Sequence, residues 1–202
     1  MVTDGWGSAD IGDAYKLYGP ASQFDVAGGV GTVEVPLNGG YGAYLQELST
    51  QDVDMVFDVA TDQEASGYRQ TVIVAVRSVA RSTEYRGKVQ LASGGVYVRA
   101  EKILGGATTA LSSLVKVSGL THQANTPLRI RMQAVGEGST TVKLKVWPTS
   151  IGEPASWQYS ATDSEAQLQA PGAVGVRAQM PGVADNAPVT YSFDNLSVTT
   201  AP

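Results

Sequence analysis

The strongest constraint on the fold is a two-residue alternation of apolar and charged side chains. In the segment 52–59 the odd-numbered residues are Val, Met, Phe and Val, whereas all three aspartates are even-numbered. Segments 128–134 and 142–147 alternate in the same way. Successive side chains of an extended strand point to opposite faces of a sheet, so the pattern predicts strands with one buried and one solvent-facing side.

Glycine-rich turn signals separate these segments, for example at 38–40, 93–95 and 136–138. No stretch shows a 3.6-residue period, although 107–117 is compatible with helix or strand and 163–168 with one helical turn. Further strands are predicted at 32–35, 43–48, 70–79, 83–91, 95–103, 111–117, 173–179 and 189–199. About a dozen strands predict an all-β fold of two packed antiparallel sheets, which we expect to form one domain over residues 1–202.

Composition removes several functional classes. The chain has no cysteine and one histidine, which excludes thiol nucleophiles and sites that need two imidazoles. Its net charge of −5 argues against a general nucleic-acid binder, which needs a basic field. The longest aliphatic run, residues 72–76, is too short to cross a bilayer, so we expect no membrane insertion.

Several short motifs are more specific. They are Gly-Trp-Gly-Ser-Ala-Asp at 5–10, Lys-Val-Trp-Pro at 145–148, Gly-Glu-Pro-Ala-Ser-Trp at 152–157, Ala-Thr-Asp at 161–163, Pro-Gly-Ala-Val-Gly-Val at 171–176 and Phe-Asp-Asn-Leu-Ser-Val at 193–198. In these motifs the chain resembles the concanavalin A-like (LamG-like) jelly-roll modules of secreted actinobacterial proteins and of actinobacteriophage minor tail proteins. The resemblance implies a two-sheet antiparallel jelly roll of the lectin and glucanase type. It also implies surface recognition, often of carbohydrate, in an extracellular or virion setting.

The beginning of the chain departs from this resemblance. Similar modules carry an extra first strand before the Gly-Trp-Gly motif, whereas here the motif starts at Gly5. The resemblance therefore implies either a cut fragment or a missing edge strand beside 189–199. An unpaired strand edge there would invite a neighbouring chain.

A carbohydrate site is predicted from charge and aromaticity. Seven cations fall on the solvent side of their strands by parity: Arg86, Lys88, Arg99, Arg129, Arg131, Lys143 and Lys145. If these strands share one sheet, the cations form a patch for the carboxylates or phosphates of a polysaccharide. Tyr85 and Tyr97 flank the cations and would stack on sugar rings. The alternative is a solvated face in which the cations pair with Asp52, Asp54 and Asp58 across strands.

Other aromatic residues have two interpretations. Five tyrosines lie near predicted loops and either line a binding rim or close the ends of the sandwich: Tyr15, Tyr18, Tyr41, Tyr44 and Tyr68. In the resembled family, Trp147 and Trp157 brace the loop that carries Glu153.

Two further kinds of site are considered. Asp10, Asp13 and Asp194 lie near the matched motifs and could hold Ca²⁺ through carboxylate oxygens if the chain ends meet; the alternative is surface or turn-forming aspartates. The acids of 52–58 look similar to the paired acids of concanavalin A-like glucanases. They depart from that pattern because the segment contains no glutamate and its last acid lies beyond the family spacing.

Three functions follow, in order of preference. The first is a non-catalytic module that binds cell-surface polysaccharide through a concave sheet face or its rim loops, as part of a phage tail or a secreted protein. The second is a structural virion protein that contacts neighbouring virion subunits, or domains of the same chain, without binding glycan. The third is a glycoside hydrolase.

Overall fold

The computed structural model describes residues 1–202 and contains fifteen strands and no α-helix. The strands are β1 (Lys16–Tyr18), β2 (Phe24–Ala27), β3 (Val30–Val35), β4 (Gly40–Thr50), β5 (Val53–Thr61), β6 (Gln70–Ala80), β7 (Thr83–Ala92), β8 (Gly95–Leu104), β9 (Ala107–Ala110), β10 (Val115–Lys116), β11 (Leu128–Val135), β12 (Thr140–Pro148), β13 (Tyr159–Asp163), β14 (Gly172–Gln179) and β15 (Val189–Thr200). Short 3₁₀ turns occur at Ala21–Gln23 and Ala166–Leu168. Neither turn has the length or apolar character needed to span a membrane.

The strands form two antiparallel sheets, as the sequence predicted. One sheet has the order β1-β4-β14-β6-β7-β8-β10, with β9 also pairing with β8; the other has the order β13-β12-β11-β5-β15-β3-β2. A hydrophobic core of 37 buried residues lies between them. The alternation at 52–59 is realised in β5, where Met55 and Phe57 are fully buried while Asp54 and Asp58 face outward.

Most predicted strands are present, with two kinds of difference. Within the strand predicted at 111–117, only the two residues of β10 are extended, and a loop separates them from β9. Four strands of five residues or fewer, β1, β2, β9 and β13, were not predicted because they are too short to display an alternation. The helical turn predicted within 163–168 is confirmed as the second 3₁₀ turn.

The prediction that β15 forms an open sheet edge is wrong for its first half. Residues 189–193 pair with β3 on one side and lie beside β5 on the other. The register with β3 ends at Phe193, and a bulge follows between Asp194 and Ser197. Residues 197–200 then pair with β5 alone, so only the second half of the strand has a free side.

A buried arginine links the two sheets at one end of the core. Arg77 of β6 is fully buried and has a left-handed backbone, with φ of 46°. Its guanidinium donates hydrogen bonds to the carbonyl of Gly136 at 2.8 Å and to Oγ1 of Thr140 at 2.6 Å, both on the seven-stranded side. Its Nε donates to the carbonyl of Gln51 at 2.6 Å, and Asp52 completes the cluster at 3.3 Å.

Candidate functional site

The nine residues predicted to bind carbohydrate do not form one surface. Strands β7 and β8 belong to the eight-stranded sheet and β11 and β12 to the seven-stranded sheet, and the outer faces of a sandwich point in opposite directions. The first outer face carries Arg86, Lys88, Tyr97 and Arg99, and the second carries Arg129, Arg131, Lys143 and Lys145. The single basic patch predicted from parity is therefore two separate sets of four residues.

Tyr85 belongs to neither face, and its predicted role in binding is wrong. It alternates with the outward-facing Arg86, so its ring enters the core, where it is fully buried. Its hydroxyl donates a hydrogen bond to the Asp163 carboxylate at 2.9 Å. Burial, together with that hydrogen bond, raises the pKa of Tyr85 to about 12.

Two arginines of the seven-stranded face are paired across strands with Asp54 and Asp58, as the alternative interpretation predicted, whereas Lys143 has no ion pair. Arg129 donates two hydrogen bonds to Asp58, at 2.6 and 2.7 Å, and Arg131 holds Asp54 at 2.5 Å. Burial opposes the ionisation of Asp54, but hydrogen bonds from Arg131 and Gln133 outweigh it and hold the Asp54 pKa below its ordinary value.

The loop after β12 closes this network. Glu153 accepts hydrogen bonds from Arg131 at 2.5 Å and approaches Lys145 at 2.6 Å. The Trp157 ring centroid lies 4.4 Å from the Lys145 ammonium and 5.7 Å from that of Lys143. Most charged groups of this face therefore bind one another and are not free to bind a ligand. Asp52, the third predicted partner, pairs with Arg77 instead.

The three aspartates considered for Ca²⁺ do not gather into a metal site. No group of three or more carboxylate or imidazole side chains is close enough to hold an ion. Asp10 and Asp194 line one cavity of about 570 Å³, but Asp13 does not reach it. Asp13 lies in a left-handed turn, and Asp194 accepts the backbone N–H of Asn195 at 2.7 Å. The turn-forming alternative describes them better.

The most prominent concavity lies on the outer face of the eight-stranded sheet. It is a groove of about 730 Å³ above β4, β14 and the junction of β6 with β7, and we call it the β4–β14 groove. Its lining includes Tyr18 from β1, Tyr44 from β4 and Arg177 from β14, together with Glu84 and Arg86 from β7. Three of the five rim tyrosines, Tyr18, Tyr41 and Tyr44, therefore line a candidate site.

Two glycines lie directly beneath side chains that line the β4–β14 groove. A β-carbon at Gly175 would lie 2.5 Å from the Tyr44 ring, and one at Gly42 would lie 2.5 Å from the side chain of Arg177. Both side chains therefore lie directly on the sheet backbone. The Tyr18 ring meets Tyr44 edge to face, with 5.1 Å between the centroids.

A buried carboxylate fixes the polar groups of the groove. Glu84 is 1% exposed and accepts hydrogen bonds from the Tyr44 hydroxyl at 3.0 Å and from Nε of Arg86 at 2.5 Å. Burial and the Glu84 charge raise the pKa of Tyr44, so its hydroxyl remains a donor. Glu84 thus orients the Tyr44 hydroxyl and the Arg86 guanidinium side by side in the groove.

The same outer face continues beyond the groove as a row of cations. Cross-strand register aligns Arg177, Ile73, Lys88 and Arg99 on β14, β6, β7 and β8. Lys88 and Arg99 share the buried carboxylate of Glu101. Tyr97 lies one row further and is covered by the guanidinium of Arg69 at 4.8 Å.

Sequence reasoning missed Glu84 and Arg177, although a signal for Arg177 was available. Arg177 lies between the core residues Val176 and Ala178 in a strand that was predicted, so parity alone places it outward. Parity also places Glu84 outward, on the face of Arg86, but it does not identify the partner of Glu84. A lone glutamate beside a strand start gives no indication that a tyrosine forty residues away will bind it.

Comparison with solved structures identifies the fold of the chain. No family model and no curated protein matches the chain. Among solved structures, a carbohydrate-binding module, CBM66 from Bacillus subtilis, is 14% identical, with 87% of this chain and 89% of that chain covered at a TM-score of 0.58. A legume lectin-like domain from Entamoeba histolytica (8% identity, 93% and 90% covered) and a Bacillus licheniformis beta-glucanase (10%, 91% and 84%) both score 0.60.

These likenesses and the two-sheet topology define the class of the molecule. It is a jelly-roll sandwich of the concanavalin A-like lectin and glucanase type, as the resemblance implied. At 14% identity or less, the comparisons establish the fold and leave the function to be argued from the site.

Proposed function

We propose that the protein is a non-catalytic carbohydrate-binding module that holds cell-surface glycan in the β4–β14 groove. The observation that carries this proposal is one groove that joins the half-buried ring of Tyr18 to the polar side chains of Arg86 and Arg177. Sugar rings have apolar C–H faces, which stack on aromatic rings, and hydroxyl edges, which need both donors and acceptors. The groove offers Tyr18 for stacking and Glu47 and the arginines for hydrogen bonding, while the buried Tyr44 supports the Tyr18 ring.

A binding role without catalysis agrees with the hydrogen bonds that protein donors make to the carboxylates of Asp54, Asp58 and Glu84. A retaining glycosidase needs two carboxyl groups about 5–5.5 Å apart, one of them free to attack the sugar. Asp54 and Asp58 are on the opposite sheet and are each engaged by an arginine. In the groove, Glu84 is engaged by Tyr44 and Arg86 and serves to orient them.

The setting we propose is the surface of a phage tail or of a secreted protein, where the module acts outside the cell. Single sites of this kind bind weakly, and display in several copies raises the overall affinity without new contacts. Neighbouring virion subunits or domains of the same chain would provide that display.

A structural virion role is the second candidate, and the free side of β15 at 197–200 is the observation that favours it. Unpaired strand groups are a template for another chain. Light scattering separates the two functions: concentration-dependent self-association together with failure to bind any glycan would support the structural role.

The proposal is tested by pull-down of the purified protein on isolated bacterial cell envelopes, with competition by soluble cell-wall polysaccharide. Tyr18→Ala removes a half-exposed ring and should weaken binding about tenfold, since stacking on one ring contributes about 1.5 kcal/mol. The matched control is Lys143→Ala on the opposite face, which has no ion pair and should leave binding unchanged. Equal losses in the two variants, or no saturable binding by the unaltered protein, would overturn the groove assignment.

A further inference from the structure

One guanidinium in the β4–β14 groove lacks the partners that other arginines have. Arg177 lies in the groove with no carboxylate within 4.0 Å, and its Nε is closed off from solvent with no hydrogen-bond acceptor. The hydrogen bond it makes through Nη2 reaches the carbonyl of Gly40 at 3.5 Å, near the limit of such a bond. A guanidinium has five N–H donors in a planar fork, so most of those of Arg177 are unused.

Most of the other arginines are paired with a carboxylate. Arg77, Arg129 and Arg131 each face an aspartate, and Arg86 and Arg99 each face a glutamate. Of the two that are not, Arg69 donates to Gln90 and covers Tyr97, and Arg81 is exposed to solvent, whereas the Nε of Arg177 is buried. In a protein with a net charge of −5, acidic partners are abundant. A cation left without one in a groove therefore marks a place where the counter-charge is supplied from outside.

The surrounding charges reinforce this asymmetry. Three arginines line the groove, Arg81, Arg86 and Arg177, against two glutamates, Glu47 and Glu84. Glu84 is already engaged by Arg86, which leaves Arg81 and Arg177 opposed by Glu47 alone. Register extends the positive character along the sheet from Arg177 towards Lys88 and Arg99.

We infer that the ligand of this groove is an anionic polysaccharide, whose carboxylate or phosphate group is bound by the guanidinium of Arg177. The inference rests on the proposed function and specifies its substrate class. A planar fork matches the paired oxygens of carboxylate and phosphate. Tyr18 lines the same groove as Arg177 and would take the ring of the same or the adjoining sugar, with the buried Tyr44 packed against it.

A neutral glycan fits less well because its hydroxyl groups would leave the Arg177 charge uncompensated. A nucleic acid also fits less well. Its affinity depends on releasing many counterions over a long basic field, whereas here the opposite face is internally paired and the whole chain is acidic. The positive region is local, which suits spaced anionic groups on a sugar chain.

Calorimetric titration with four defined probes tests the inference. The probes are polygalacturonate for carboxylate, poly(glycerol phosphate) for phosphate, a neutral β-glucan, and single-stranded DNA. We expect one of the two anionic polysaccharides to bind at least tenfold more tightly than the β-glucan, with affinity falling as salt rises. Arg177→Gln should weaken that binding roughly tenfold to a hundredfold, whereas Arg177→Lys, which keeps the charge without the fork, should lose less.

Two further variants keep the result interpretable. Arg81→Gln alters an exposed side chain of the same groove and should lower anion affinity even if Arg177→Gln folds poorly. Lys143→Gln on the opposite sheet removes an equal charge and should have no effect.

Tight binding of the β-glucan that Arg177→Gln leaves unchanged would overturn the inference while preserving the proposed function. Failure to bind any polysaccharide would overturn both, and equal affinity for DNA would replace the inference with a general polyanion surface.

Discussion

The buried Arg77 gives the most demanding test of how the two sheets are held together. Its side chain starts in β6 of one sheet and ends among acceptors that belong to the other sheet and to the turn before β5. Arg77→Met keeps much of the volume and the apolar stem but removes every donor. The carbonyls of Gln51 and Gly136 then lose their partners, whereas Thr140 keeps a contact to Gln169 at 3.0 Å.

The cost can be worked from these contacts. Each buried acceptor left without a donor costs about 1–3 kcal/mol, and loss of one partner from a buried charge cluster costs about 3–5 kcal/mol in total. The Asp52 side chain adds little because it is 39% exposed and can be solvated when Arg77 is gone. We therefore expect a destabilisation of about 4 kcal/mol, which in a chain of this size lowers the melting temperature by roughly 10 °C.

Urea unfolding followed by circular dichroism measures this free energy, and a thermal melt gives an independent value. Arg81→Met is the matched control, because Arg81 is exposed and has no ion pair; it should change stability by less than about 0.5 kcal/mol. Arg77→Lys keeps the charge but not the fork, and we expect it to retain about half of the stability difference. A stability of Arg77→Met within about 1 kcal/mol of the unaltered protein would refute the reasoning that this cluster joins the sheets.

Three other predictions follow from the same contacts. Tyr85→Phe removes the hydrogen bond to Asp163 and should lower stability by about 1–2 kcal/mol in urea while leaving envelope binding intact; a selective loss of binding would return Tyr85 to the site. The pKa values of Asp54 and Asp163 lie below the ordinary value in the folded protein, so the unfolded chain binds more protons in acid. The free energy of unfolding should therefore fall as the pH drops below about 4, and equal urea midpoints at pH 3 and pH 6 would contradict this. Gly175→Ala should displace the Tyr44 ring and weaken glycan binding at least as much as Tyr18→Ala, and unchanged affinity by titration would show that Gly175 does not position the ring.

The alternation of apolar and polar residues predicted which side chains lie in the core, because the face that a strand residue occupies depends only on its immediate sequence neighbours. It correctly separated the core residues Met55 and Phe57 from the outer-face aspartates between them. It also placed Arg86 and Arg131 outward. Parity applied strictly would have moved Tyr85 to the core, since adjacent residues of a strand cannot share a face.

The assignment of strands to sheets is not local, and there the sequence was insufficient. The hairpins β7–β8 and β11–β12 both carry outward cations and look alike in one dimension. The two hairpins differ in their next partner: β7 pairs with β6, which directly precedes it in sequence, whereas β11 pairs with β5, which is distant in sequence. The assignment of each hairpin to a sheet decides whether Arg131 and Arg86 lie on the same face. Here they lie on opposite faces: Arg131 in a set of cross-strand ion pairs, and Arg86 in the β4–β14 groove.

The two glycines beneath Tyr44 and Arg177 lower the entropy cost of binding a ligand in the groove. Tyr44 and Arg177 rest on backbone at Gly175 and Gly42, so their conformations are already restricted before a sugar arrives. Freezing a mobile side chain on binding costs about 0.5–1.5 kcal/mol, and here that entropy is lost during folding instead. A shallow site with few contacts can then retain useful affinity, and its free and bound forms should superimpose closely.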